Sequence, residues 1–522
     1  MGKFYITTPI YYPSGKFHIG TAYSTLLADC INRYKKLRGY DTYFLTGLDE
    51  HGQKIENVAK KNNMDPQLYV DKMAEDAKKL WKLLKITNDD FIRTTEERHS
   101  KVAAKIFDYL MEKGDIYLSK YNGLYCTVCE SFYTETQAED GRCPDCGTEV
   151  KETSEEAYFF NMKKYEKRLM DFYNENPNFL LPLSRKNEII NNFIKVGLED
   201  LCVSRTSFTW GIKVPKNEKH VIYVWLDALV NYITALGYGS DNEELFNKYW
   251  PADLHIIGKD ILRFHAIYWP IFLMALDLPL PKTIYSHGWY VMKDGKMSKS
   301  KGNTVYPDDL AEKFGVDPTR YLLLREISFD QDGVFSLEGF INRYNTDLSN
   351  DLGNLINRTI GMINKYFEGN VYLYPEKLSD NDKELEEYVN ERVKSFEDNM
   401  DTYHIANALE DIFKIISRSN KYIDVTEPWV LAKDENKKEE LKSVMYHLIE
   451  NIRKFAILIS PFMPDTTNKI FELIGINDEN LKTYDSVYSN DLISNITVTK
   501  TPEPLFMRLD KEETLKEYFN NK

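Results

Sequence analysis

Apolar residues change their spacing along the first hundred residues, and the changes mark the secondary-structure elements. Phe4–Thr7 and Thr42–Leu45 are short apolar runs typical of buried strands, and Ala22–Leu37 between them has helical spacing. Helical spacing follows again near Gln53–Lys61 and Pro66–Leu84. This alternation predicts βαβ units, and therefore an α/β fold in which helices cover a parallel sheet.

The alternation breaks after residue 116 and resumes about a hundred residues later. Apolar runs return at Val221–Trp225 and Leu254–Gly258, and we expect both to be strands of the same sheet. The pattern predicts a Rossmann-like domain in two halves, 1–116 and 221–290, that are split by an insertion at 117–220. Sheets of this kind bind their ligands at the carboxyl ends of the strands.

From about Asn342 onward the apolar spacing is helical throughout. Apolar residues recur three or four positions apart at Leu348, Leu352, Leu355, Ile356 and Ile360. The stretch Asp380–Lys394 is strongly charged, yet every fourth residue is apolar at Leu385, Val389 and Val393. These patterns predict an α-helical bundle over 342–522, joined to the sheet domain by a region at 291–341.

Composition places the chain among soluble globular proteins. It has 522 residues, 43% of them hydrophobic and 28% charged. No apolar run approaches the ~20 residues that span a membrane, and the first residues do not resemble a signal peptide, so we expect a cytoplasmic protein with no membrane partner. The net charge of −14 disfavours broad nucleic-acid binding but permits a local basic track.

Four of the six cysteines form two closely spaced pairs. Cys126 and Cys129 make the first pair, and Cys143 and Cys146 make the second after 13 intervening residues. Four thiolates at this spacing suit one tetrahedral Zn²⁺, and because they fill its coordination sphere the zinc is expected to be structural. An iron–sulfur centre is the main alternative, and four unligated core cysteines are a weaker one.

Two short segments carry groups that can bind the phosphates of a nucleoside triphosphate. Phe17–Thr21 opens the first long helix with His18 and Gly20, and Lys296–Ser300 is a basic loop between glycines. His18 can donate a hydrogen bond to phosphate, Gly20 permits close backbone approach, and the helix N-terminus favours anions. Either segment alone is an ordinary turn or a solvated face. Together, in this order, they resemble the two signatures of class I aminoacyl-tRNA synthetases.

Further segments extend the resemblance along nearly the whole chain to the methionyl-tRNA synthetase family. They are Thr7–Gly15, Gly47–Gly52, Val224–Ala228, Ile257–Asp260, His287–Trp289 and Glu427–Trp429. The resemblance implies a zinc knuckle at 126–146, a lysine loop and stem-contact region at 291–341, and an anticodon-binding domain at 342–522. It also implies activation of L-methionine by ATP to methionyl-adenylate, followed by transfer to the 3′ end of tRNA(Met).

The resemblance assigns residues to ATP and to the chemical step. The ATP set, which would act with Mg²⁺, is His18, Gly20, Gly258, Asp260, Lys296 and Lys299. The catalytic set is His18, Gly20, Thr21, Lys296 and Lys299. Thr21 stands where the family usually has a second histidine, so it can donate a hydrogen bond but cannot carry charge. Asp260 would accept from ribose hydroxyls, although it could instead cap a helix.

The other two implied sites hold methionine and the anticodon. The methionine set is Ile10, Tyr12, Asp49, Trp225, Ala228, Tyr232 and His287. Aromatic rings suit a thioether, and Asp49 would bind the substrate ammonium, with a helix cap as its alternative role. The anticodon set is Asn354, Arg358 and Trp429, whose amide, guanidinium and indole groups suit unpaired bases. For Trp429 the alternative is the core of the bundle.

Three other functions fit parts of this pattern. The first is a class I synthetase for another amino acid, such as cysteine; cysteine specificity would need a zinc with an open position in the main pocket, which four thiolates in an insertion do not offer. A small-molecule nucleotidyltransferase would not need the long helical region. A tRNA-binding or regulatory protein without catalysis would not need the Lys296–Ser300 loop. Because the chain ends soon after the bundle, we expect a monomer.

Overall fold

The chain forms two compact units in the computed structural model. One unit contains Met1–Ala28 and Asp41–Gly288, and the other contains Asp29–Tyr40 and Trp289–Lys522. The structure describes residues 2–126, 131–133, 138–144, 147–293, 295–296 and 304–520. Within that part of the chain, none of the helices combines the length and apolar character needed to cross a membrane.

The first unit alternates strands and helices up to residue 112, as the apolar spacing predicts. Its strands are β1 (Lys3–Tyr11), β2 (Asp41–Leu48), β3 (Asp90–Arg93), β4 (Ile116–Cys126), β5 (Ser131–Tyr133), β6 (Lys151–Phe160), β7 (Leu180–Leu181), β8 (Leu201–Cys202), β9 (Ser204–Arg205), β10 (Val221–Ile222), β11 (Leu254–Gly258) and β12 (Ile284–His287). Its helices are α1 (Ile19–Leu37), which continues into the second unit, α2 (Gln53–Lys61), α3 (Pro66–Leu83), α4 (Glu97–Glu112), α5 (Lys163–Glu175), α6 (Leu183–Ile189), α7 (Val224–Leu229), α8 (Asn231–Thr234), α9 (Glu244–Tyr249) and α10 (Trp269–Ala275).

Six of these strands form one parallel sheet in the order β3-β2-β1-β11-β12-β7. Strands β2 and β3 lie on one side of β1 in the sheet, and β11 and β12, which come later in the chain, lie on its other side. The order therefore reverses between β1 and β11, which is the position where such sheets bind ligands. The predicted α/β fold with a split parallel sheet is confirmed.

Two local features shape the sheet beside this reversal. The β1–β2 register shifts between Thr7 and Ile10, where Pro9 has no N–H to donate to a neighbouring strand. On β2, a Cβ atom at Gly47 would lie 2.0 Å from the carbonyl oxygen of Ile92 on β3. Only glycine therefore fits at position 47.

The insertion is built on an antiparallel sheet of its own, in the order β5-β4-β6-β8. The prediction that Val221–Trp225 is a strand of the main sheet is wrong. Of these residues only Val221 and Ile222 form a strand, they pair with β9 outside the main sheet, and helix α7 begins at Val224. A short buried apolar run does not distinguish a strand from the start of a buried helix.

The second unit is mainly helical. Its strands are short: β13 (Tyr290–Met292), β14 (Gly295–Lys296) and β15 (Gly333–Phe335) form a three-stranded sheet, and β16 (Asn370–Val371) pairs with β17 (Ile496–Thr497). Its helices are α11 (Pro307–Phe314), α12 (Val316–Glu326), α13 (Leu337–Arg343), α14 (Asn354–Phe367), α15 (Asp380–Asp401), α16 (Ile405–Thr426), α17 (Pro428–Leu431), α18 (Lys438–Ile459), α19 (Pro464–Leu473) and α20 (Lys511–Asn520), with a π-helical segment at Tyr344–Gly353.

Helix α18 is the centre of the predicted bundle. Every residue of α18 from Ser443 to Ile459 is buried, as expected for a helix surrounded by other helices. The charged helix α15 buries Leu385, Val389 and Val393 completely, in agreement with their four-residue spacing. The predicted α-helical region is confirmed.

Candidate active site

Four strand ends gather the predicted ligand-binding residues of the first unit at one edge of the sheet. β1 ends at Tyr11, β2 at Leu48, β11 at Gly258 and β12 at His287. Because all four strands are parallel, their carboxyl ends share one edge. Tyr12, Asp49 and Asp260 follow these ends directly in sequence, and Ile10 lies partly buried against the core just before the end of β1.

His18 stands immediately before helix α1 and takes part in starting it. The Gly20 N–H donates to His18 Nδ1 over 3.0 Å, and the Ala22 N–H donates to the His18 carbonyl over 3.1 Å. Since Nδ1 accepts, the proton of the neutral ring is on Nε2, which makes Nε2 a hydrogen-bond donor. Gly20 and Thr21 lie in the first turn of the same helix, where backbone N–H groups and the helix dipole favour anions.

Gly258, Asp260 and His287 form the adjoining part of the edge. A Cβ atom at Gly258 would lie 2.5 Å from Asp260 Oδ1 and 3.9 Å from His287 Cε1, so glycine leaves the space that the carboxylate uses. His287 Nδ1 donates to the Gly288 carbonyl over 2.7 Å, and its Nε2 lies 2.7 Å from Ser24 Oγ. Burial lowers the pKa of His287, which keeps the imidazole neutral.

Asp49 is a buried residue fixed by strand β1. Its N–H donates to the Tyr11 carbonyl over 3.0 Å, and the Tyr12 hydroxyl donates to the His51 carbonyl over 2.9 Å. The alternative in which Asp49 caps a helix is wrong, because α2 begins at Gln53 with Gly52 at the N-cap position and no side-chain cap. A buried carboxylate at a ligand-binding edge is suited to an ammonium partner.

The predicted aromatic residues lie on α7 and α8. Trp225 is stacked on Phe264, with ring centroids 3.5 Å apart and an interplanar angle of 8°. Tyr232 is fully buried, and its hydroxyl lies 2.7 Å from His265 Nε2. Burial lowers the pKa of His265 to about 4, so this imidazole is neutral near pH 7. The buried Ala228 precedes Tyr232 by one helical turn.

A carboxylate that the sequence analysis did not single out joins these elements. Asp227 is fully buried, with Oδ2 2.6 Å from His51 Nδ1 and Oδ1 2.8 Å from His99 Nε2. Burial alone would raise the pKa of Asp227, but the two imidazoles bring it below its ordinary value. His51 and Asp227 fall within the segments that carry the family resemblance, which is a signal for them; His99 lies in no such segment.

Family models match most of the chain. A model described as tRNA synthetases class I (M) matches residues 4–156 and 149–360, and one described as the anticodon binding domain of methionyl tRNA ligase matches 375–521. The methionine–tRNA ligase of Bacillus subtilis is 57% identical over 98% of this chain and 79% of that protein. The enzyme of Listeria monocytogenes is 56% identical over 98% of this chain and 78% of that protein. The chain belongs to the methionyl-tRNA synthetase family.

Solved structures of methionyl-tRNA synthetases have the same fold. The Mycobacterium tuberculosis methionyl-tRNA synthetase in complex with methionyl-adenylate matches with a TM-score of 0.92 and 40% identity, over 97% of this chain and all of that chain. The apo form of that enzyme matches with a TM-score of 0.84 and 38% identity, over 98% and 99% of the two chains. The resemblance inferred from the sequence motifs is therefore confirmed at the level of the family and the fold.

In this chain the structure describes one cysteine of each predicted zinc-binding pair. Cys126 and Cys143 are both buried in one small cluster with Tyr133, Ala138 and Val150. The Cys143 N–H donates to the Thr148 carbonyl over 2.8 Å, and the Gly147 N–H donates to the Cys143 carbonyl over 2.8 Å. Cys129 and Cys146 lie outside the described residues.

The lysine loop is described only at its beginning. Gly295 and Lys296 form β14, which pairs with β13, and Lys299 lies outside the described residues. The joint action of this loop with His18, which the methionyl-tRNA synthetase signatures imply, stays a prediction.

The predicted anticodon residues of the second unit lie on two helices. Asn354 begins α14 and is exposed, and Arg358 follows one turn later with its Nη2 3.0 Å from Asp424 Oδ1. Trp429 follows Pro428 in the short helix α17, and 41% of its surface is exposed. This exposure excludes the alternative that Trp429 belongs to the bundle core.

Proposed function

We propose that this chain is a methionine–tRNA ligase of class I. It would activate L-methionine with ATP to methionyl-adenylate and then transfer the methionyl group to the 3′ end of tRNA(Met). The observation that carries the proposal is the match, over 97% of the chain, to a methionyl-tRNA synthetase that holds methionyl-adenylate. The edge at the reversal of the sheet order supports it, because Tyr12, Asp49 and Asp260, which the family motifs assign to methionine or ATP, lie just after the carboxyl ends of strands there.

The first unit would bind ATP along the edge that carries His18, Gly258 and Asp260. His18 Nε2–H would donate to a phosphate oxygen, and the first turn of α1 with Gly20 and Thr21 would add backbone N–H groups. Asp260 would accept from the ribose hydroxyls. Mg²⁺ bound with ATP supplies charge neutralisation on the phosphates, a task that Lys296 and Lys299 would share.

Methionine would lie beside the same edge. The buried Asp49 carboxylate would pair with the substrate ammonium, and Ile10, Tyr12, Trp225, Ala228, Tyr232 and His287 would surround the thioether side chain. A carboxylate oxygen of methionine attacks the α-phosphorus of ATP, the bond to the β-phosphate oxygen breaks, and pyrophosphate leaves. The protein needs no nucleophile for this step, so its contribution is orientation and stabilisation of the phosphate charge.

The insertion would hold one structural Zn²⁺ on Cys126, Cys129, Cys143 and Cys146. The two described thiols support this site, because both lie buried in a single small cluster of few apolar residues. Backbone hydrogen bonds that join Cys143 to Gly147 and Thr148 also fix the position of Cys143.

Metal analysis of the purified protein tests this site. The expected result is one zinc per chain, which Cys126→Ser should lower to well below stoichiometric amounts. Cys202→Ser is the matched control, since Cys202 is a buried cysteine of the same unit outside both pairs. Iron with acid-labile sulfide would replace the zinc proposal with an iron–sulfur centre, and unchanged zinc in Cys126→Ser would refute the ligand assignment.

The second unit would read the anticodon of tRNA(Met). Asn354 and Arg358 would hydrogen-bond to base edges, and the half-exposed indole of Trp429 would stack on an unpaired base, which is worth ~1–3 kcal/mol per base. We infer that the enzyme acts as a monomer in the cytoplasm, where its tRNA substrate is used.

Two assays on one pair of proteins test the proposed function. Wild-type protein is expected to catalyse ATP–pyrophosphate exchange that depends on methionine and on no other standard amino acid. Trp429→Ala should keep this exchange but lower kcat/KM for tRNA charging by about 5–150-fold, the effect of losing ~1–3 kcal/mol of stacking. Exchange with another amino acid would overturn the substrate, and tRNA binding without any exchange would favour a non-catalytic tRNA-binding protein.

A further inference from the structure

Asp227 is the meeting point of three elements in the first unit. Its two carboxylate oxygens accept from His51, which follows β2, and from His99 on α4, over 2.6 and 2.8 Å. The other ring nitrogen of His99, Nδ1, lies 2.8 Å from Thr234 Oγ1 on α8 and extends this hydrogen-bond network. Asp227, His99, Thr234 and His51 are all buried.

The proposed methionine residues are attached to these same elements. Asp49 precedes His51 by two residues, and the Tyr12 hydroxyl donates to the His51 carbonyl over 2.9 Å. Trp225 and Ala228 flank Asp227 on helix α7, and Tyr232 precedes Thr234 by two residues on α8. Five of the seven methionine residues are therefore within two residues or one hydrogen bond of a member of this network.

We propose that Asp227 is a positioning residue for methionine binding, which acts through His51 and His99 and does not touch the substrate. It holds the strand end that carries Asp49 in register with the helices that carry Trp225, Ala228 and Tyr232. The ammonium end and the thioether end of the pocket are thereby kept at one fixed distance. This inference rests on the proposed function, because it takes the methionine pocket as given.

The role of Asp227 depends on its carboxylate, which can accept two hydrogen bonds and donates none. A carboxylate has only acceptors, so it fixes the proton of His51 on Nδ1 and that of His99 on Nε2. When Nε2 carries the only ring proton of His99, Nδ1 can accept from the Thr234 hydroxyl. An asparagine at position 227 would bring an NH₂ group against one of the two imidazole N–H groups. That imidazole must then either change its tautomer or lose its hydrogen bond, and the charge that strengthens both hydrogen bonds is gone, so the elements that they join are held less tightly.

Asp227→Asn tests the proposal in methionine-dependent ATP–pyrophosphate exchange. The KM for methionine is expected to rise by up to about 10²-fold, the scale of a displaced binding group, while the KM for ATP and kcat change by less than about threefold. Asp253→Asn is the matched control. Asp253 is also a buried carboxylate of this unit with two partners, Tyr5 N–H and Lys282 Nζ, but it lies outside the network.

Two substitutions of His99 separate positioning from general stability. His99→Gln keeps an N–H group that can reach Asp227, so the KM for methionine should stay near that of the wild type. His99→Phe removes the hydrogen bond and should raise that KM as Asp227→Asn does. A methionine KM within about twofold of wild type in both Asp227→Asn and His99→Phe would overturn the proposal, as would an equal rise in the KM for ATP.

Asp49→Ala distinguishes this inference from the proposed pocket itself. If Asp49→Ala leaves the methionine KM unchanged, the pocket is wrongly placed and the role of Asp227 fails with it. If Asp49→Ala raises the methionine KM and Asp227→Asn does not, the pocket stands and only the positioning role is refuted.

Discussion

Replacing His18 with alanine is expected to lower kcat for methionine-dependent ATP–pyrophosphate exchange by about 10²–10³-fold, the cost of losing one preorganised donor to a developing negative charge. The affinity for methionine should change little, because His18 lies at the start of α1 and not among the methionine residues. Because Gly20 N–H fixes Nδ1 as an acceptor, the ring offers Nε2–H as a donor of constant direction. Initial rates of exchange over a range of ATP and methionine concentrations measure both effects.

Two further substitutions separate the chemical role of His18 from its part in starting the helix. His18→Asn retains an acceptor near the Nδ1 position for the Gly20 N–H but has no donor at the Nε2 position. His18→Gln places an amide donor near the Nε2 position but gives up the Nδ1 acceptor. Higher activity in the glutamine variant than in the asparagine variant is the expected order, and wild-type kcat in His18→Asn would reduce His18 to a helix-start residue.

Local sequence patterns predicted most helices and strands of the sheet domain, because a long stretch with helical spacing is compatible with little else than a helix. The helical spacing of Ala22–Leu37 and the helices near Gln53 and Pro66 correspond closely to α1, α2 and α3. The rule for parallel sheets depends on strand order and not on side-chain detail, and the motif residues Tyr12, Asp49 and Asp260 do lie just after the carboxyl ends of parallel strands. The run Val221–Trp225 failed because its burial comes from a helix that packs into the core, which periodicity over five residues cannot reveal.

The interior of the site was beyond the reach of the sequence because its contacts are long-range. Asp227 is 176 residues from His51 and 128 residues from His99, and the hydrogen bonds between them exist only after the two halves of the sheet domain have folded together. The same holds for Tyr232 and His265, whose contact requires α8 and the segment after β11 to meet. Motifs identify residues that bind ligands, whereas residues that hold other residues need not fall in any motif.

Arg320→Met is expected to lower the free energy of unfolding of the second unit by up to about 3–5 kcal/mol, which is the cost of removing one partner from a buried ion pair. Asp29 Oδ2 keeps its second partner, Arg33 Nε, at 2.8 Å. Arg320 and Asp29 are both fully buried, and Arg320 Nη2 donates to Asp29 Oδ2 over 2.7 Å. The guanidinium also donates to the carbonyls of Phe462 and Pro461 over 2.9 and 3.0 Å. Helix α12, the continuation of α1 and the end of α18 therefore all depend on one side chain.

A set of variants shows whether the broken ion pair between Arg320 and Asp29 causes this loss. Arg343→Met is the matched control, since Arg343 is a partly exposed arginine of the same unit whose ion pair with Asp347 is 3.5 Å long; it should cost less than about 1 kcal/mol. The double variant Asp29→Leu/Arg320→Met removes both charges and should recover part of the stability, because a buried ion pair can be replaced by apolar residues at little cost. Urea unfolding followed by circular dichroism measures all three proteins. If the double variant is as unstable as Arg320→Met alone, the loss comes from the two carbonyls and from packing, and the broken ion pair between Arg320 and Asp29 is not its cause.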